Sequence, residues 1–304
     1  MRNSYHIGVD VGGTRLRLIA QGTAGDRRTA PAEVPVPRSG PDLVARIEVL
    51  IRNVIGDAAV ESLAVGLPGQ VLGDRCVWVP NLRFLDGEPL GRALADRVGA
   101  PCHLINDAQA ALAAESAEGA ARGAADVVLL AVGTGIGGAY QADGRIVRGA
   151  NGCTGAFGWL PFPGSTRDAD HGQWERAGSG QRLDELARGW GGTPSLITAV
   201  RHGDDRARQT LEDFAAVLGQ GAAALASILD PDLIVFAGGL VSAYSLFQDA
   251  LADAVARHGS PAGRTVRIAP AALGSAAGVI GALHWAKSAA GLAATAGAQR
   301  GWDR

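Results

Sequence analysis

The stretch Ile7-Gly8-Val9-Asp10-Val11-Gly12-Gly13-Thr14 decides how the rest of the chain is read. Its apolar run predicts a strand, and the strand closes on an acidic residue and two glycines. Such a turn can aim backbone N–H groups at an anion, because glycine reaches φ angles closed to other residues and leaves no Cβ in the way. Thr14 adds a hydroxyl, and Asp10 a carboxylate able to hold Mg2+ through water. Alone, the string also reads as a plain Gly-Gly hairpin turn.

A second copy of the device shifts that balance. Val127-Val128-Leu129-Leu130-Ala131-Val132 is a continuous apolar run of the kind shown by a buried strand, and it leads into Gly133-Thr134-Gly135-Ile136-Gly137-Gly138. Two such turns suggest two similar halves that grip one polyphosphate between them. A third strand, Asp232-Leu233-Ile234-Val235-Phe236, ends in Gly238-Gly239.

Length and composition agree with two domains, since 304 residues exceed one comfortable core. A net charge of −2 recommends no nucleic-acid partner and no membrane surface. Ahead of Asp10 there is no basic region followed by an apolar one, so no signal peptide is expected. The uncharged stretch from Ile268 to Ala286 contains Pro270 and His284 and predicts a loop plus a buried helix, not a membrane span. Cys76, Cys102 and Cys153 are widely spaced, as expected of buried or free thiols in a reducing cytoplasm.

Between the turns, period-two alternation predicts strands at Arg15–Ala20 and Ala32–Val36, and helical spacing of Leu43, Val44, Ile47, Leu50, Ile51 and Val54 predicts a helix stopped by Gly56. Strands at Ser62–Gly66 and Val77–Val79 deliver the loops Leu67-Pro68-Gly69-Gln70 and Pro80-Asn81-Leu82, the place where α/β proteins put ligand contacts. Helices follow at Leu90–Val98 and Ala108–Ala117, with a strand at Cys102–Ile105 between them. Asp107 heads the second of these helices. It reads either as an N-cap carboxylate or as a general base at the mouth of a cleft, with Asn106 as a second hydrogen-bonding group. Further on, Ala139-Tyr140 and Arg145–Val147 predict a hairpin joined at Asp143-Gly144. Arg148–Gly178 shows no periodicity and predicts a long functional loop. Helices are expected at Leu183–Ala187, Ser195–Val200, Arg206–Ile228, Tyr244–His258 and Ser275–Ala289, and a strand at Val266–Ile268, with a tail from Ala290 that frays.

Asp10–Thr14, Asn106-Asp107, Gly133–Gly138 and Gly238-Gly239, standing in this order, resemble the ROK family of sugar kinases and regulators within the actin-like ATPase superfamily. Leu67-Pro68-Gly69, Pro80-Asn81-Leu82, Glu175 followed by Ser179-Gly180, and Leu273–Ala282 extend the resemblance over nearly the whole chain. It implies an α/β fold of two actin-like (ribonuclease H-like) domains, with an interdomain cleft that closes on substrate. The first domain would hold 1–112 plus 275–304, and the second 113–274. By the family pattern Asp10, Gly12, Gly13, Thr14 and Gly133-Thr134-Gly135 would face the phosphates and Mg2+ of ATP, with Gly238-Gly239 near the adenosine. Asn81, Asn106, Glu175, Gly69 and Trp159 would face the sugar, and Asp107 would accept the proton of the attacking hydroxyl. A cytoplasmic homodimer is expected, with a small sugar-like substrate, no nucleic acid and no membrane.

Two departures matter. Family kinases usually carry Gly-Glu-Ile-Gly-His where this chain has Gly155-Ala156-Phe157-Gly158-Trp159, and a cysteine-rich zinc loop where Pro161–Glu175 has no cysteine. Asp168, Asp170, His171 and Glu175 do not have the spacing of a closed zinc site, so no zinc is expected. The resemblance therefore implies an ATP-dependent kinase for the primary hydroxyl of a hexose-like compound, with a modified sugar, an amino sugar or a C7-cyclitol favoured over plain glucose. The alternative is an ordinary glucokinase using ATP or polyphosphate. A non-catalytic sugar-sensing regulator is less expected, because the nine residues before Asp10 leave no room for a DNA-binding domain.

Overall fold

The computed structural model describes residues 3–25, 28–168 and 171–298. The chain divides into two compact units: one takes residues up to Glu118, Arg148–Cys153 and the chain from Ser275 onward, and the other takes Gly119–Val147 and Thr154–Gly274.

The first unit is built on β1 (Ser4–Val11), β2 (Arg15–Gly22), β3 (Ala32–Pro35), α1 (Gly40–Ile55), β4 (Ala59–Leu67), β5 (Gln70–Leu72), β6 (Arg75–Trp78), α2 (Leu90–Val98), β7 (Cys102–Asn106) and α3 (Asp107–Glu118). Its sheet runs β3-β2-β1-β4-β7, with β1, β4 and β7 parallel and β2 and β3 antiparallel to their neighbours. Strand alternation sorts its two faces. Ile7, Val9, Val11, Leu16 and Leu18 are buried with Leu43 and Ile47 of α1 and Leu90 and Leu94 of α2. Gly8 sits against the backbone of the last helix at Leu283, where any Cβ would collide. Helix α1 begins where Ser39 accepts a bond from the Asp42 N–H and ends at Gly56, whose φ of 62° only glycine holds cheaply.

The second unit repeats the strand order. It comprises β8 (Val127–Val132), β9 (Ile136–Ala142), β10 (Arg145–Val147), α4 (Gln173–Gly178), α5 (Gly180–Leu186), α6 (Thr193–Arg201), α7 (Asp205–Leu229), β11 (Leu233–Gly238), α8 (Gln248–His258) and β12 (Arg267–Pro270). Its sheet runs β10-β9-β8-β11-β12, again with the first hairpin antiparallel and β8, β11 and β12 parallel. Helix α7 is long and apolar enough by composition to cross a membrane. Leu211, Phe214, Leu218 and Ala222 along it are instead buried in the second core with Ile234 and Phe236. The chain closes with α9 (Ala277–Ala298), which packs in the first unit.

Several sequence-based boundaries are corrected. Residues Arg148–Gly178 are not structureless, because they contain a short 3-10 turn at Phe157–Trp159 and α4. Both are too short for periodicity to reveal. The second glycine stretch turns only over Gly133–Gly135, since Ile136 already pairs with Val132. The helix expected from Tyr244 is a 3-10 segment, Gly239–Leu246, followed by α8. The last helix runs nine residues beyond Ala289, to Ala298, and the tail from residue 299 lies outside the described residues.

Candidate functional site

In the first unit, register places the candidate residues on one edge of the sheet. Asp10 on β1 is level with Gly66 on β4, Gly66 with Ile105 on β7, and Leu67 with Asn106, so three parallel strands end together. The Gly12–Thr14 turn, the Leu67–Gly69 loop and the Asn106-Asp107 step all leave from this edge, the ordinary ligand edge of an α/β sheet.

The Asn106-Asp107 pair settles which residue caps α3. Asn106 Oδ1 accepts from the N–H groups of Ala108 (2.9 Å) and Gln109 (3.2 Å), and Asn106 Nδ2 donates to the Gly69 carbonyl (2.8 Å). Capping therefore belongs chiefly to Asn106, whose amide is also engaged by Gly69 and faces the Asp107 carboxyl. Gly69 is tied to this arrangement, because at φ 107° a Cβ there would strike the Trp78 carbonyl. Asp107 Oδ1 accepts from the Ala108 N–H at 2.8 Å, and its own N–H and the Asn106 side chain add smaller stabilisation of the carboxylate. Its side chain retains solvent access, yet the protein packed around it strips enough water to push the carboxyl up to about 6. The Ala108 N–H opposes that rise, and the charge of Asp10 adds to it.

Asp10 is half-buried and also raised, by burial first, with Arg17 pulling the other way. No hydrogen bond reaches its carboxylate among the described residues. It lies against Gly278 of α9, where a Cβ would come within 2.8 Å of Oδ1. A desolvated, unbonded carboxylate oxygen pair is a fitting donor for a hard divalent cation. Gly13 and Thr14 are exposed, Gly12 N–H closes the turn on the Arg15 carbonyl (2.9 Å), and Asn81 sits beside Gly13. Arg17 and Gly278 were missed as neighbours of Asp10. Arg17 was legible, being the cross-strand partner of Asp10 in a period-two pattern, whereas the approach of α9 was not.

In the second unit the Gly133–Gly135 turn and Gly238-Gly239 share the corresponding edge, since Val132 is level with Gly238. Gly238 has φ 103° and faces the Val132 carbonyl too closely for any side chain. The turn is held from behind: Gly180 N–H donates to the Gly133 carbonyl (2.8 Å), Gln181 N–H to that of Thr134 (3.3 Å), and Ile136 N–H to Glu175 Oε2 (2.7 Å). A Cβ on Gly135 would land on the Glu175 carboxylate.

The segment Gly155–Trp159 keeps the glycines that its packing requires. Gly155, at φ 105°, rests on the Gly138 carbonyl, and Gly158 on Ile136 O and Glu175 Cβ. Ala156 and Trp159, the two departures, are both exposed, and no hydrogen bond reaches the Trp159 indole among the described residues. Asp168 pairs with Arg176 and His171, no group of three His, Cys, Asp or Glu could hold a metal among the described residues, and Asp170 lies outside them.

With this geometry in hand, comparison with known proteins is decisive at one level: the family model described as "ROK family" matches residues 6–289. The chain belongs to the ROK family. The bifunctional enzyme NanE/NanK of Brucella suis biovar 1 is 35% identical over 234 residues, covering 72% of this chain and 41% of that protein. The chain thus spans less than half the length of that relative. The N-acetyl-D-glucosamine kinase of Pectobacterium atrosepticum is 29% identical over 297 residues, covering 91% of this chain and 97% of that protein. Among solved structures, a ROK family glucokinase from Streptomyces griseus, in complex with glucose and AMPPNP, matches with TM-score 0.74 and 27% identity, covering 93% of this chain and 99% of that one. The fold is accordingly the α/β one of ROK sugar kinases, with two actin-like domains.

Proposed function

We propose that this chain is an ATP-dependent kinase acting on the primary hydroxyl of a hexose or hexose-like compound. One observation carries the reading: Asn106 takes over the capping of α3, which leaves Asp107 as a carboxylate of raised basicity on the edge that also bears the Asp10–Thr14 turn. Phosphoryl transfer asks for a base that takes the hydroxyl proton and for donors that cradle the phosphates. In this reading Asp107 takes the proton, and the turns at Gly12–Thr14 and Gly133–Gly135 bind the phosphates through backbone N–H groups. Gly238-Gly239 accommodates the nucleoside. Mg2+ held by Asp10 through water would neutralise phosphate charge. In this reading Asn81, Asn106, Gly69 and Glu175 would contact the acceptor. The names of the relatives support a sugar acceptor.

Ala156 and Trp159 guide the choice of acceptor. Ala156 has no hydrogen-bonding group, and Trp159 offers one N–H and a broad apolar face in place of a site for polar hydroxyl recognition. A modified acceptor, either an amino sugar or a C7-cyclitol, is therefore favoured over glucose. Purified protein with ATP, Mg2+ and a panel of glucose, mannose, N-acetylated amino sugars and cyclitols should release ADP. Release with no member of the panel would overturn the kinase reading, and a tenfold preference for glucose, equal to about 1.4 kcal/mol, would overturn the acceptor class.

A further inference from the structure

We propose that the acceptor is a glycoside: the ring that receives the phosphoryl group carries a second, neutral sugar ring, and this second ring occupies a polar cavity beside Glu175. The proposal rests on the reading of Glu175 and Trp159 as acceptor-facing and extends the acceptor beyond one ring.

The cavity is made by the chain that runs between those two residues. The segment from Leu160 to Gly172 leaves directly after Trp159, returns just ahead of Glu175, and faces α4 and α5 across an open volume of about 650 Å³. Its base is pinned to α4, since Trp174 N–H donates to the Leu160 carbonyl (3.2 Å) and Phe162 N–H to Gln173 Oε1 (2.8 Å). Where it returns, Gly172 lies so close to the Trp159 backbone that a Cβ would collide. Farther out, Asp168 accepts from the Arg176 guanidinium and from the His171 N–H (2.7 Å). The walls are therefore built from the protein's own bonds, and the volume between them is in the range of small-molecule sites.

The lining says what class of group fits. Arg176 and Arg182 stand among three carboxylates, those of Asp168, Glu175 and Glu185, so the wall has no excess positive charge to draw a phosphate or a carboxylate. Each guanidinium is already paired through an exposed and hence weak contact, Arg176 with Asp168 and Arg182 with Glu185 at 2.9 Å. Such pairs offer donors and acceptors side by side, which suits the hydroxyls of a neutral polyol. Thr166 adds a hydroxyl, and Phe162 an aromatic face for the C–H side of a ring. Glu175 joins this cavity to the acceptor site: its Oε2 takes the Ile136 N–H at 2.7 Å, which leaves Oε1 for a hydroxyl of the substrate.

ADP release by wild type, with kcat/KM for glucose set against maltose and cellobiose, and for N-acetyl-D-glucosamine against N,N′-diacetylchitobiose, tests this. At least one disaccharide should exceed its parent by about tenfold or more. Ala177→Leu fills the cavity without removing a hydrogen-bonding group, and Arg182→Ala removes one donor set. In variants that melt cooperatively, each should erase most of that excess while the parent monosaccharide stays within about threefold. Turnover of monosaccharides or cyclitols with every disaccharide at or below its parent overturns the glycoside proposal alone. An excess that survives both substitutions, or an equal loss for parent and disaccharide, overturns it as well. No ADP release with any sugar or cyclitol overturns the kinase reading together with this one.

Discussion

The two glycine turns look alike in sequence and differ in how they are built. In the first, Val11 pairs with Leu16 and leaves Gly12–Arg15 in the loop. In the second, Val132 pairs with Ile136 and leaves Gly133–Gly135. Superposing the registers sets Asp10 opposite Ala131. The first turn thus carries its own charges, Asp10 on one side and Arg15 and Arg17 on the other, while Gly13 and Thr14 stay exposed. The second carries none and is locked from behind by the Gly180 and Gln181 N–H groups and by Glu175. One repeated topology therefore yields a charged turn in one domain and a backbone turn clamped from behind in the other. The difference arises from what each sheet edge is packed against: α9 in the first domain, and the α4–α5 junction in the second.

The comparison breaks first at Asp107, which has no counterpart in the second domain's cradle. Asp107→Asn should lower kcat by about 10²-fold or more with nucleotide binding retained, measured by ADP release and by titration. The wild-type rate should also fall on the acid side of about pH 6, where the carboxyl takes up its proton and ceases to be a base. Linkage supplies a check of opposite sign. A carboxyl raised in the folded state binds its proton more tightly there than in the unfolded chain, so its ionisation lowers stability as pH rises from its unfolded value to about 6, and the loss persists above. Asp107→Asn should consequently melt no lower than wild type at pH 7.5, and a large drop would show that the carboxylate holds the fold.

Glu175 tests the rigidity of the second turn. Glu175→Ala strips the acceptor from the buried Ile136 N–H and should cost about 1–3 kcal/mol of stability. Glu175→Gln keeps an acceptor and should restore most of the melting temperature while still weakening the acceptor substrate. If both variants melt alike, the clamp is not what holds the turn.

A smaller effect is expected at Gly278. Gly278→Ala places a methyl 2.8 Å from Asp10 Oδ1 and forces the carboxylate aside. The Mg2+ dependence of turnover should move to higher concentration, with little change in the acceptor KM. The smallest effect concerns Glu118, at the end of α3, where bonds from Arg28 first and His284 next hold its carboxyl down at about 2. That depression adds stability above the unfolded carboxylate range, which is lost as pH falls toward 2. Glu118→Gln should flatten the acid limb of the melting temperature against pH, and an unchanged limb would place the acid sensitivity elsewhere.

By itself the sequence determined most strands, most helices and the edge from which each candidate loop leaves. Alternation and apolar runs are local consequences of burial on one face or two, and glycines after a strand mark its end wherever the structure is read. Register also followed from it in part, since the period of two sets Arg15 and Arg17 on the side of Asp10. Tertiary structure alone decided which of two adjacent residues, Asn106 or Asp107, caps α3. Both types cap equally well, and the choice depends on Gly69 arriving across the sheet to receive the Asn106 amide. It alone decided that Glu175 clamps Ile136, thirty-nine residues away, and that α9 returns to lie on Asp10 through Gly278. Local propensity is written in neighbouring residues, whereas the protonation and partners of a carboxylate are set by whatever distant segments exclude its water and meet its oxygens.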